Sequence, residues 1–376
     1  MKINDFKLER YFADYEFKAR HLLSSSDCES LKMTDLLQMA DPECLKLWYD
    51  LKLVYTETKG HPLLRESISN LYEEIKSEDI IVLAPEEGIF IALNVILNPG
   101  DHVIVLDPAY QSLFEIPKAI GCEVTKWPVY LKNYQWNLDI SFLQKSIKKN
   151  TRLIIINFPH NPTGFIPEAS DFKNIIDIAE KNKIYLFSDE MYRYLEFSKS
   201  HLYESAGDIL ENGITLSGLS KSFGLPGLRI GWLATRNKEL MRKIENFKDY
   251  TTICNNALGE ILSIVALRNK DQIIGRNLNL IRENILIVKE FFTKHNNFFT
   301  WIDSKGSSVA FPLLTERLPA DDFCKKLIDQ KSILMLSASL FNYPGNHFRI
   351  GLGRKTFKAA LEELESFLYG SYKAFL

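Results

Sequence analysis

The sequence is short of the features that would place it in an unusual class. Only five of its 376 residues are cysteine: Cys28, Cys44, Cys122, Cys254 and Cys324, scattered and with no C-x-x-C pair. That pattern argues against a disulfide framework, a zinc knuckle or another metal site, and predicts reduced thiols in a cytoplasmic protein. Long apolar runs are missing too. The opening Met1-Lys2-Ile3-Asn4-Asp5 has no apolar signal core and no later run reaches bilayer length, so secretion and membrane insertion are disfavoured. There is also no surplus of charge: 46 basic against 48 acidic residues leave −2, too little to gather nucleic acid or anionic lipid. Finally, no G-x-G-x-x-G follows a strand pattern and no G-x-x-x-x-G-K-[ST] loop occurs. Gly351-Leu352-Gly353 is a lone fragment, and NAD and ATP enzymes are set aside.

What is present is a globular composition, 46% hydrophobic and 25% charged, able to bury a sizeable interior. The length predicts a large domain and a smaller one. We place an N-terminal arm, part of the small domain, at 1–35, a large domain at 36–255 and a small C-terminal domain at 256–376. Aromatic residues crowd the arm at Phe6, Tyr11, Phe12, Tyr15 and Phe17 without a sustained period, which fits a docked segment.

From about residue 62 helical stretches alternate with short apolar runs, the pattern of an α/β fold with a mostly parallel sheet covered on both faces. The runs are Val103–Leu106, Leu153–Ile156, Ile184–Phe187 and Ile230–Leu233, each of strand length and rich in β-branched or aromatic residues. Between two of them Phe172, Ile175, Ile176 and Ala179 repeat at helical spacing, which makes a βαβ crossover. Phe357, Ala360, Leu361, Leu364 and Leu368 predict a closing helix behind Thr356 as N-cap.

Polar and strained segments fall just after these strands, at the edge where open α/β sheets bind ligands. Asp107-Pro108-Ala109-Tyr110 follows the first. Asn157-Phe158-Pro159-His160-Asn161-Pro162-Thr163-Gly164 follows the second, and Ser188-Asp189-Glu190-Met191-Tyr192 the third. Leu216-Ser217-Gly218-Leu219-Ser220-Lys221 precedes Arg229 by a short loop. Each has an ordinary explanation, as a turn, a cap or a solvated lysine. Together they bring an aromatic ring, an amide, a carboxylate, a phenol, an amine and a guanidinium to one sheet edge.

With Asn161-Pro162-Thr163-Gly164, Asp189 followed by Tyr192, and Ser220-Lys221 followed by Arg229, the chain resembles the class I/II aminotransferases, from Tyr55 to Arg349. The resemblance implies the fold-type I architecture, with a mostly parallel seven-stranded sheet in the large domain and a smaller α/β domain. It also implies pyridoxal 5'-phosphate as cofactor and an amino acid and a 2-oxo acid as substrates. By the same resemblance Lys221 carries the cofactor as a Schiff base and then shuttles the proton, and Asp189 keeps the ring nitrogen protonated. Asn161 and Tyr192 hydrogen-bond the ring's phenolic oxygen, and Tyr110 stacks on the ring. Arg229, with Ser220 or Ser217, contacts the phosphate. Arg349 and Asn161 belong to the substrate side, Arg349 as the bidentate fork for the α-carboxylate. Tyr55, in Tyr55-Thr56-Glu57-Thr58-Lys59-Gly60, reaches the neighbouring subunit's phosphate, which implies a homodimer.

Two departures from the family pattern stand out. The phosphate cup reads Ala84-Pro85-Glu86-Glu87-Gly88, where Pro85 has no N–H and only the main-chain N–H groups of Glu86 and Glu87 remain for the anion. Gly218 stands where many relatives place a phosphate-binding serine, with Ser217 as a possible substitute. The same scaffold also supports β-lyases, decarboxylases and cyclising synthases, and it occurs in ligand sensors behind a DNA-binding head, for which the N-terminal stretch has no pattern. For the substrate, Asp27 or Glu29 in Leu23-Ser24-Ser25-Ser26-Asp27-Cys28-Glu29 is expected either to meet a cationic side chain or simply to be solvated.

Overall fold

A computed structural model describes residues 2–315 and 318–371. Its centre is an eight-stranded sheet. In chain order the strands are β1 (Ile80–Leu83), β2 (His102–Asp107), β3 (Glu123–Lys132), β4 (Gln135–Leu138), β5 (Thr151–Asn157), β6 (Tyr185–Asp189), β7 (Gly213–Gly218) and β8 (Gly231–Ala234). Their order across the sheet is β1-β8-β7-β6-β5-β2-β3-β4. The pairs β7–β6, β6–β5, β5–β2 and β2–β3 are parallel, whereas β8 runs antiparallel to both neighbours and β4 antiparallel to β3.

All four apolar runs picked from the sequence are strands of this sheet. The sheet has one strand more than the expected seven, because β3 continues past the sheet edge into a hairpin with β4. β1, β5, β6 and β7 bury nearly every residue, as strands covered on both faces must. The crossover helix spans Ala169–Asn182 and buries Ile175, Ile176 and Ala179, and the closing helix spans Phe357–Ser371.

The N-terminal segment does dock, and part of it is helical. Lys7–Tyr15 form a helix that buries Leu8. Beyond it, His21–Leu22 pair in parallel with Ile333–Leu334, so the start of the chain is built into the C-terminal part. Residues 25–29 then run through a groove made by glycines. A Cβ on Gly351 would lie 1.9 Å from the Ser25 carbonyl oxygen, and one on Gly353 2.8 Å from that of Asp27. A Cβ on Gly224, itself at φ +66, would lie 3.0 Å from both the Cys28 and the Glu29 carbonyl oxygen. The Gly351-Leu352-Gly353 fragment is therefore a packing device: it lets a second backbone lie directly on strand Phe348–Gly351.

Gly351→Ala is expected to force residues 23–27 off that strand. The cost should be about 1–3 kcal/mol, typical of overpacking, read as a lower thermal midpoint, while an alanine at Gly275, a helical position where a Cβ meets nothing within 4 Å, should not lower it.

Candidate active site

Loops leaving the carboxyl ends of β5, β6 and β7 meet the N-terminal helix around a cavity of about 350 Å³. Tyr110, Asn161, Asp189, Tyr192, Lys221 and Arg349 all line it, and so do Ser220, Arg229, Glu86 and Asp27. Most of the scattered sequence candidates are thus brought to one place.

Asp189 ends β6 and is 6% exposed. Its Oδ1 accepts the Met191 N–H at 3.1 Å. Burial pushes its pKa up to about 7, the nearby Glu86 adds to the rise, and the Met191 N–H and Lys221 oppose it. A carboxyl so placed becomes a stable anion only when a cation arrives beside it. Asn157, one strand over, ties this end of the sheet together. Its amide donates to the Asp189 carbonyl at 2.8 Å, and its Oδ1 accepts the Asn161 N–H at 2.8 Å.

His160 holds the same turn from the other side. Its Nε2 lies 2.8 Å from the Pro108 carbonyl and its Nδ1 2.7 Å from the Thr163 hydroxyl. A carbonyl only accepts, so Nε2 carries the hydrogen and Nδ1 accepts from Thr163. Burial lowers the histidine pKa to about 4, which keeps the ring neutral. Sequence alone assigns no role to Asn157 or His160, although both stand inside the quoted motif.

Lys221 follows β7 and donates from Nζ to the Ser26 hydroxyl at 2.8 Å. Burial lowers its pKa, Arg349 and Arg229 lower it further, and Asp27 and Glu9 partly restore it. The neutral, nucleophilic amine is therefore more accessible than on a solvated lysine. Beside it the Tyr192 hydroxyl is buried next to the Ser26 hydroxyl, without a well-formed hydrogen bond. Burial, ahead of the opposing Arg349, pushes the phenol up to about 12. The Ser220 hydroxyl is likewise buried and unpartnered.

Arg349 is 1% exposed. One terminal nitrogen donates to Asn161 Oδ1 at 3.2 Å and the other to the Ser24 carbonyl at 2.9 Å, while Nε has no acceptor. The guanidinium lies 6.0 Å from the Phe12 ring centroid and 5.3 Å from that of Phe341. Among the described residues no carboxylate neutralises it by an ion pair. A cation buried in this way is poised for an anionic ligand.

Five further candidates lie away from this cavity or already have partners. The Ser217 hydroxyl is turned from the cavity and lies 3.4 Å from the Glu190 carbonyl, so it does not substitute for the absent serine. The reason lies in the cup itself. The Pro85 ring fills the space beside Gly218 and Gly231, 3.2 Å from a Cβ at the first and 2.8 Å at the second. The two sequence departures therefore compensate each other. Glu87 turns its carboxylate to Thr251 and Thr252, outside this cavity. Tyr55 is 87% exposed and lines no part of its own chain's site. Asp27 does line the cavity, but Arg354 already grips its two oxygens at 2.8 and 2.7 Å. Glu29 accepts from the Lys355 N–H instead of facing the site.

A phosphorylated aromatic aldehyde fits these groups. The unpartnered Tyr192 and Ser220 hydroxyls supply hydrogen-bond donors, Asp189 a buried carboxyl for a ring cation, and Lys221 the amine. Arg229 reaches the cavity from a left-handed position at φ 56. The helix Pro85–Ile96 begins at the same end, which leaves the first main-chain N–H groups without acceptors in the helix. The Glu86 carboxylate opposes an anion there. Burial raises its pKa against the Ser112 hydroxyl bonded to it, which eases the conflict.

A family model described as aminotransferase class I and II matches residues 51–364. The fold superposes on a PLP-dependent aminotransferase from Streptococcus suis with a TM-score of 0.91, at 30% identity and over 98% of each chain. An aspartate aminotransferase of Sulfurisphaera tokodaii is 28% identical over 305 residues, 76% of this chain and 74% of that protein. Capreomycidine synthase of Streptomyces vinaceus is 26% identical over 352 residues, 93% of this chain and 88% of that one.

The raised pKa of Asp189 gives a signed test. Because the folded value, about 7, lies above the ordinary 3.8, the group's stability contribution is complete below pH 3.8 and is lost as pH rises through 7. Asp189→Asn keeps the acceptor for Met191 and removes the charge. The cofactor-free variant should therefore melt above the wild type at pH 8, with the gap narrowing towards pH 4. A constant gap across that range would contradict the buried-charge account.

Proposed function

The chain belongs to the class I and II aminotransferases, and from that premise we infer how its residues move an amino group between an L-amino acid and a 2-oxo acid. Pyridoxal phosphate, when bound, supplies the carbonyl that takes up the amino group and the ring that accepts the electrons of the broken bond. Everything else falls to side chains. Asp189, 6% exposed, would pair with the ring nitrogen, whose positive charge would hold the carboxyl as an anion. Tyr192 and Asn161 are assigned to the phenolic oxygen, and Tyr110 to the ring face. Ser220, Arg229 and the N–H groups of Glu86 and Glu87 take the phosphate.

Lys221 would hold the cofactor through its amine, and once a substrate amine took its place the freed Nζ, with a pKa lowered by burial, would be the base that moves the proton from the substrate α-carbon to the cofactor carbon. Ser26 steadies that amine between the two transfers. Arg349 orients the α-carboxylate. Two of its nitrogens are pinned by Asn161 and Ser24, which fixes the plane of the fork before substrate arrives. The observation that carries this reading is the meeting of Lys221, Asp189 and Arg349, from three distant parts of the sequence, around one cavity.

We place the active unit as a homodimer. Tyr49, Leu53, Val54 and Tyr55 form an exposed apolar stretch, each at least 68% accessible in the single chain. Pairing through it would deliver Tyr55 of each chain to the other's phosphate. The five unpaired thiols support a cytoplasmic setting, and among the described residues no helix is long and apolar enough to cross a membrane.

Purified protein with added pyridoxal phosphate should show a violet-edge absorbance band that bleaches with an amino acid and returns with a 2-oxo acid. Lys221→Ala should abolish both changes, and ammonia release without an acceptor would point to lyase chemistry instead. Arg349→Ala should lower kcat/KM on the order of 100-fold or more, as expected for loss of a buried charge partner. Sedimentation should give one species of twice the 43.4 kDa chain mass, and a monomer would remove Tyr55 from the site.

A further inference from the structure

The cavity holds more negative charge than amino-group transfer uses. Its carboxylates are Glu9, Glu16, Asp27, Glu86 and Asp189, and its cations Lys221, Arg229 and Arg349. The three cations serve the cofactor and the α-carboxylate. Among the carboxylates, Asp189 serves the ring nitrogen, Asp27 is paired with Arg354, and Glu86 is bonded by the Ser112 hydroxyl. Two remain, both on the N-terminal segment. Glu9 accepts the neutral Tyr110 hydroxyl, at 2.7 Å, and forms no ion pair among the described residues. Glu16 makes neither an ion pair nor a side-chain hydrogen bond among the described residues.

Their placement follows from helical geometry. Leu8, Glu9, Phe12 and Glu16 are the positions of Lys7–Tyr15 and its C-cap that line the cavity. That spacing is one stripe along two turns. Phe12, in the middle of the stripe, lies 6.0 Å from the Arg349 guanidinium, so the stripe borders the substrate end of the site. The buried Tyr192 hydroxyl of the same cavity is taken up by the cofactor, which leaves Glu9 and Glu16, beside Arg349, as the carboxylates with no cation to serve.

We propose that the amino donor carries a cationic side chain, an ammonium or guanidinium, received by Glu16 together with Glu9 on the N-terminal helix. The proposal rests on the aminotransferase reading and names its substrate class. It moves the recognition away from Asp27, whose two oxygens are occupied by Arg354. Burial and the proximity of Asp27 and Glu9 raise the Glu16 pKa against the pull of Lys221 and Arg354, so an arriving cation relieves an existing repulsion. Neutral side chains of equal length leave that repulsion in place.

The test uses the cofactor-loaded enzyme and two readouts. In turnover, L-arginine or L-lysine is expected to exceed L-citrulline or L-norleucine by at least about 10-fold in kcat/KM, the worth of one charge-assisted contact. Glu16→Gln should remove most of that advantage and leave the neutral pair within about two-fold, and Glu16→Lys should invert the order in favour of acidic donors. In binding, 5-guanidinopentanoate, which has no amino group to react, should bind at least about 10-fold more tightly than hexanoate, and Glu16→Gln should abolish the difference. Bleaching by aspartate or norleucine as readily as by arginine, or equal binding of the two acids, overturns the proposal while the aminotransferase reading stands. If no amino acid bleaches the band, the aminotransferase reading fails, and the binding comparison alone decides the cation site.

Discussion

A guanidinium removed from water has to find acceptors, and here that requirement organises the whole site. Arg349 is nearly inaccessible, yet it stands on a strand of the C-terminal part. Its acceptors come from elsewhere: Ser24 from the N-terminal segment and Asn161 from the loop after β5. Bringing them together fixes the N-terminal segment over the carboxyl edge of the sheet. Once it is there, Ser26 meets Lys221, Asp27 meets Arg354, and the stripe of the first helix closes the cavity. The vacant Nε, with no neutralising carboxylate among the described residues, leaves the arginine incomplete without an anionic ligand.

Much of this is legible from sequence because it is local. A buried parallel strand announces itself by a run such as Leu153–Ile156, and the residues that do chemistry follow directly behind such runs. Lys221, Asp189, Asn161 and Tyr192 can therefore be picked out without knowing any distance. β1 is missing from the runs picked there, although Ile80-Ile81-Val82-Leu83 is as apolar as the others. β4 is short and carries Gln135 and Asn137, so its strand character comes from its hairpin partner.

What stays hidden depends on contacts between distant residues. The first helix carries a stripe at helical spacing, Leu8, Tyr11, Phe12 and Tyr15, which is passed over when its aromatic residues are read without Leu8. Glu9 and Glu16 gain meaning only from the cavity they border. That Asp27 already has a cationic partner is invisible in the sequence, because Arg354 is 327 positions away. The phosphate cup is the same lesson in another form. Pro85 and Gly218 look like two separate losses until their side-by-side packing is seen.

The way the ends of the chain interlock has a consequence for how the protein is made. Residues 21–29 leave the ribosome well before the surfaces that receive them, Ile333–Leu334, Gly351, Gly353 and Arg354. During synthesis the sheet can form while the early segment waits without its berth. The cavity acquires its wall only after those receiving residues are made, so a chain terminated before them has the lysine and the aspartate but not the chamber in which they act.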